Sequence, residues 1–189
     1  MTVQSATSQR RIVLEAMSRR PGDFWPRGEG HVVLGIPGSP REEKAYHEPG
    51  GSFSPSPGSF GVSFWVRDAS GGVVATSDGL PVKDLTQRYE WRAGRAAPAV
   101  VTRTPYYACR WEMTDERSWL CGVTPLGRRG LVIGAVIRSA GPAGGPIESL
   151  HLDGGRIIVN HRWIVSPLGK AVRIALSDEE KPGWKEFTG

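Results

Sequence analysis

The sequence predicts an all-β protein, an antiparallel two-sheet β-sandwich of about ten strands with one short N-terminal helix. Three observations predict it. Apolar residues alternate with polar ones in several stretches, most cleanly over 60–67 and 86–92, and period-two alternation marks a strand. The 25 glycines and 15 prolines stand between apolar runs rather than in repeats, as turns between many short strands require. Residues 106–123, YYACRWEMTDERSWLCGV, fold into a hairpin with one heavily apolar face, which needs a second layer to cover it.

Taken in order, residues 1–7 are polar and are expected to be disordered. Over 9–19, Ile12, Val13, Ala16 and Met17 recur at helical spacing, Ser8 can cap, and Pro21-Gly22 stops the run, so a short helix is expected there. Asp23-Phe24-Trp25-Pro26 forms an aromatic cluster suited to plugging a core edge. Residues 31–36 read as the first strand. Residues 37–59, rich in Pro, Gly and Ser, lack periodicity and are expected as a long loop, the first place to seek a ligand or partner.

Over 60–67, Phe60, Val62, Phe64 and Val66 share one face, with Ser63, Trp65 and Arg67 on the other. Ser70-Gly71-Gly72 turns the chain into a partner strand at 73–76. Residues 86–92 place Gln87, Tyr89 and Trp91 on one face, and 99–104 pairs back. Residues 131–138 are apolar on both sides, as for a central strand covered on both faces. A hairpin about Asp153-Gly154-Gly155 follows, then strands at 162–166 and 171–176. One domain over 8–177 is expected, with 178–189 a charged tail or linker.

In the 106–123 hairpin, Asp115 at the apex sets Met113 against Arg117, Trp111 against Trp119, Cys109 against Cys121 and Tyr107 against Val123. Arg110, Glu112 and Ser118 fall on the other face. A one-residue slip would send both tryptophans to that polar face.

With 189 residues the chain can bury a core without a metal or disulfide staple. Its net charge is +5, and its 19 arginines are spread along the sequence rather than concentrated, so no nucleic-acid partner is expected. No apolar run approaches the ~20 residues of a membrane span, and the N-terminal apolar run is too short and charged for a signal peptide. No membrane partner and a cytoplasmic location are expected, and with them reduced thiols at Cys109 and Cys121 in preference to a cross-strand disulfide.

His31, His47, His151 and His161 show no metal-ligand spacing, and Gly28 and Gly30 precede a strand rather than follow one. His151 and Asp153, two apart at a strand end, could touch one cation. No metal or other cofactor is expected. Glu112, Asp115, Glu116, Glu148 and Asp153 sit on turns or polar faces, and nothing pairs them as glycosidase acids. Trp65 is the best binding candidate. If the phenylalanine face of 60–67 is the core, its indole looks outward beside Ser63 and Arg67, where an apolar ring can stack on a sugar.

Three stretches, Ser54-Pro-Ser-Pro-Gly-Ser-Phe-Gly-Val-Ser-Phe-Trp65, Ser139-Ala-Gly-Pro-Ala-Gly-Gly-Pro-Ile147 and Ile157-Ile-Val-Asn-His-Arg-Trp163, resemble the N-terminal β-sandwich domain of bacterial six-hairpin-type glycoside hydrolases. That family's catalytic carboxylates lie in a helical barrel, so no catalytic residue carries over. The resemblance implies a non-catalytic module whose partner is a glycan or a glycosidase catalytic domain. Its candidate site residues are Trp65, Arg67, Ser63 and Trp163. The alternatives are a protein–protein module using the 37–59 loop and exposed aromatics, or a small enzyme without a recognisable motif.

Overall fold

Antiparallel pairing organises the computed structural model, which describes residues 32–35, 40, 44–115, 117–127, 130–169, 173–176 and 187. The chain divides into two compact units, Met1–Pro146 and Ile147–Gly189, where the sequence suggests one domain over 8–177. The helix expected at 9–19, the polar start at 1–7 and nearly all of the 178–189 tail lie outside the described residues.

The first unit carries β1 (Val32–Leu34), β2 (Ala45–His47), β3 (Phe53–Ser54), β4 (Gly61–Arg67), β5 (Val73–Thr76), β6 (Thr86–Glu90), β7 (Ala99–Arg103), β8 (Tyr107–Asp115), β9 (Ser118–Pro125) and β10 (Val132–Arg138). One sheet runs β1-β2-β3-β4-β10, with β5 also paired to β4. The other is the meander β6-β7-β8-β9. The second unit holds β11 (Leu150–Asp153), β12 (Arg156–Val159) and β13 (Trp163–Val165) in one sheet. Residues 173–176, within the last expected strand, form none.

The two sheets of the first unit meet through aromatic rings. Phe53 stacks on Trp111 at 4.0 Å between centroids, and Phe64 lies 5.5 Å from Tyr107. The Val62, Phe64 and Val66 face of β4 is therefore core, as its alternation predicts. Strand β10 is not the doubly covered central strand expected from its Val and Ile run. It ends the sheet order beyond β4, and Val132 is exposed there.

The expected structureless loop at 37–59 is replaced, over its described part, by β2, β3 and a buried turn. The turn holds Glu48, Gly50, Gly51 and Ser52 inside the protein. The chain can pass there because Gly50 and Gly51 have no side chains. A Cβ on Gly50 would overlap the Ser77 carbonyl, and one on Gly51, whose φ is +95°, would meet the Cys109 sulfur. The second sheet completes the turn's polar groups. Tyr107 donates its hydroxyl to the Gly50 carbonyl at 2.7 Å, and Trp111 donates Nε1–H to the Gly51 carbonyl at 2.9 Å.

The β8–β9 hairpin keeps its expected faces but not its expected partners. Trp111 faces Cys121, Met113 faces Trp119, Cys109 faces Val123 and Tyr107 faces Pro125. Asp115 is not the apex. It pairs with Ser118, and its carboxylate accepts the Arg117 N–H at 2.9 Å, an Asx turn that fixes the loop after it. A bulge between Met113 and Asp115 absorbs the remaining offset. The shift is two positions on β9, so side-chain parity survives. Cys109 and Cys121 become diagonal neighbours and are free thiols. Diagonal spacing of about 7–8 Å exceeds what a disulfide spans.

Candidate functional site

Trp65 is only 8% exposed, Ser63 is fully buried and Arg67 is half-buried. The expectation that this face of β4 looks outward is corrected: both faces of the strand are covered. Strand β4 pairs with β10 along one edge and with β3 and β5 along the other. What looked in sequence like a solvated face is a buried polar network. Asp78 forms an ion pair with Arg138 at 2.7 Å and accepts the Ser52 hydroxyl at 2.7 Å. Ser52 also meets the Ser77 hydroxyl at 2.7 Å, and Arg138 Nε–H donates to Ser63 at 3.3 Å. Ser52, Ser63, Ser77, Asp78 and Arg138 bond one another, so the cluster reads as a structural tie.

His47, on β2, is fully buried and boxed by rings. Its centroid lies 5.1 Å from Phe53, 5.3 Å from Trp119 and 6.5 Å from Trp111. Neither ring nitrogen has a hydrogen-bond partner, and burial pulls its pKa down to about 3. It is a neutral imidazole used as an aromatic spacer. Burial also pushes the Cys109 thiol up to about 12, and the Cys121 thiol is raised by burial and then by Cys109.

The opposite face of the meander sheet gathers charges that are scattered in sequence. Arg110 of β8 bridges Glu90 of β6 and Glu112 of its own strand. Glu112, nearly buried, also receives Arg95 at 3.1 Å and Arg92 at 3.7 Å. Arg88 pairs with Glu90 at 2.7 Å, and Arg88 and Arg110 hold that carboxyl below the usual carboxylate range.

At the end of β6, the outer strand of that sheet, Tyr89 is 50% exposed and Trp91 69% exposed. Trp91 leads directly into the segment that supplies Arg92 and Arg95. Sequence reading placed Tyr89 and Trp91 on one strand face without singling them out. The signal was that the chain runs from them straight into a Gly- and Arg-containing loop, whereas Trp65 is followed by more of its own strand.

In the second unit, Trp163 of β13 is half-buried, with the Arg162 guanidinium 5.2 Å from its ring centroid. His151 of β11 meets His161 rather than Asp153: His151 Nε2 and His161 Nδ1 are 3.3 Å apart on exposed rings. In the first unit a groove of about 330 Å³ runs over β5, lined by Val74, Thr76, Leu80, Pro81, Asp84 and Tyr106 among others, and contains none of the expected site residues. Among the described residues no three His, Cys, Asp or Glu side chains converge to hold a metal ion, and no helix is long and apolar enough to cross a membrane. Comparison with known proteins returned no match to a family model, a curated protein or a solved structure.

Proposed function

We propose that the chain is a carbohydrate-associated β-sandwich module, accessory to a glycoside hydrolase catalytic domain, with its binding platform at Tyr89 and Trp91 rather than at Trp65. The observation that carries the reading is the exposure of these two rings, two positions apart at a sheet edge, beside Arg92 and Arg95. An indole presents an apolar face to the C–H side of a sugar ring, while neighbouring guanidinium groups take hydroxyls. Tyr89 lies on β6 opposite Val100 of β7, and backbone already held by pairing lowers the ordering cost of binding. The three segments that resemble the glycosidase-associated sandwich support the same reading.

Titration with soluble oligosaccharides, followed by tryptophan fluorescence, tests it. Trp91→Ala is expected to abolish the response and leave stability within about 1 kcal/mol, as for other exposed positions. If the edge instead docks a catalytic domain, the same variant weakens that association, and no glycan response is seen in either protein. Unchanged behaviour of Trp91→Ala in both assays would refute the platform.

A further inference from the structure

We infer that His151 and His161 form a two-histidine site for a borderline divalent metal ion of the zinc, nickel and copper class. The distance between the facing nitrogens is the first argument. Two imidazole nitrogens, each about 2.0–2.1 Å from a tetrahedral ion, stand about 3.3 Å apart. His151 Nε2 and His161 Nδ1 are 3.3 Å apart, the separation of two such ligands. The rings are tilted by 47° with centroids 4.8 Å apart, so they converge rather than stack. Both side chains are exposed, which leaves the ion's other positions to water or to a donor on a bound molecule.

The second argument is the backbone. His161 has φ +52° and follows Asn160, also at +52°. Two successive positive φ values are the sign pattern of a type I′ turn, whose second position normally holds glycine. Asn160 is secured there: its side-chain oxygen accepts the Glu148 and Ser149 N–H groups at 2.7 and 3.1 Å, and the Arg162 N–H closes the turn on the Val159 carbonyl at 3.1 Å. His161 shares that left-handed conformation, which brings Nδ1 to His151. Positive φ is uncommon outside glycine, although histidine and asparagine adopt it more readily than other residues, and here it aims one imidazole at another. Imidazole is suited to these ions, with copper bound most tightly of the three.

The test is calorimetric titration of the untagged chain with Zn²⁺, alongside His151→Gln, His161→Asn and the double variant. Asparagine tolerates positive φ, so His161→Asn keeps the turn while removing the ligand. A single saturable site in the wild type, at least tenfold weaker in each single variant and absent in the double variant, is expected. His161→Gly should lose the metal and raise the urea midpoint of the metal-free protein. The inference is overturned if the wild type binds no better than the double variant, which would leave the pair as an imidazole–imidazole contact. Retention of wild-type affinity by either single variant would overturn it as well.

Discussion

The indole of Trp111 lies almost flat on the ring of Phe53, with centroids 4.0 Å apart and planes 14° from parallel. One ring belongs to β8 and the other to β3, so the stack fastens one sheet of the first unit to the other. Trp111→Ala removes the stack and leaves the Gly51 carbonyl without its indole donor. A loss of about 3–5 kcal/mol in urea unfolding is expected. Phe53→Ala should be comparable, and the double variant should lose clearly less than the sum, since the residues touch. Trp119 is half-exposed and faces Met113, so Trp119→Ala should cost less than Trp111→Ala. Equal losses at the two tryptophans would contradict the register.

His47 gives the stability a pH dependence with a defined sign. Its pKa falls from 6.5 to about 3 on burial, so below pH 6.5 the unfolded chain takes up a proton that the folded one refuses. The contribution is complete above pH 6.5 and is lost on acidification towards pH 3, by about 1.4 kcal/mol per unit. His47→Phe should flatten that part of the profile. Parallel curves for wild type and variant, from unfolding at pH 7.5 and 5.0, would show that the imidazole is not held neutral.

The faces of the strands were legible in the sequence, and the environments of those faces were not. Alternation placed Phe64 and Val66 inside and put Trp111, Cys109 and Tyr107 together, because parity depends only on strand geometry. Trp65 was misread because Gly61 and Ser63 beside it resemble a solvated face. Their real neighbours, Ser52, Asp78 and Arg138, come from distant segments. The β8–β9 partners were missed because an Asx turn at Asp115 moves the loop, a side-chain effect that hydrophobic pattern does not carry. The burial of 44–56 was hidden for a related reason: its Pro, Gly and Ser content signals a loop, yet glycines also let backbone pass through a core.

The buried pair Asp78–Arg138 should behave unlike a surface bridge. Asp78→Ala and Arg138→Ala are each expected to cost about 3–5 kcal/mol, because each strands a buried charge. Combining Asp78→Asn with Arg138→Met should cost less than either. A double variant worse than both singles, by urea unfolding at pH 7, would mean that the hydroxyls of Ser52 and Ser63 matter more than the ion pair.

Tyr107→Phe isolates one hydrogen bond. The ring keeps its place against Phe64, while the buried Gly50 carbonyl loses its donor. A loss of about 1–3 kcal/mol is expected. A neutral substitution, measured by thermal unfolding, would show that another group reaches that carbonyl.

The thiols should be silent until the protein opens. Burial raises the pKa of both Cys109 and Cys121, and the thiolate is the reactive form. With an aromatic disulfide reagent at pH 8, two equivalents are expected in denaturant and almost none in its absence. Rapid modification of the native protein would contradict the burial of Cys109.

Strand β10 reaches β4 across the whole meander, since Arg138 pairs with Gly61, whereas β6 to β9 pair only with sequence neighbours. Assembly of the two sheets therefore differs in kind. The meander zips through successive short closures, each of small entropic cost, whereas the β4–β10 seam must close a loop that already contains it. The meander is expected to be formed when the rate-limiting barrier is crossed, and β10 to dock afterwards. Truncating Val100 in β7 would then slow folding, whereas truncating Ile137 in β10 would mainly speed unfolding. The last strand home is also the one that brings Arg138 to Asp78, so the buried charge is neutralised only as the fold is completed.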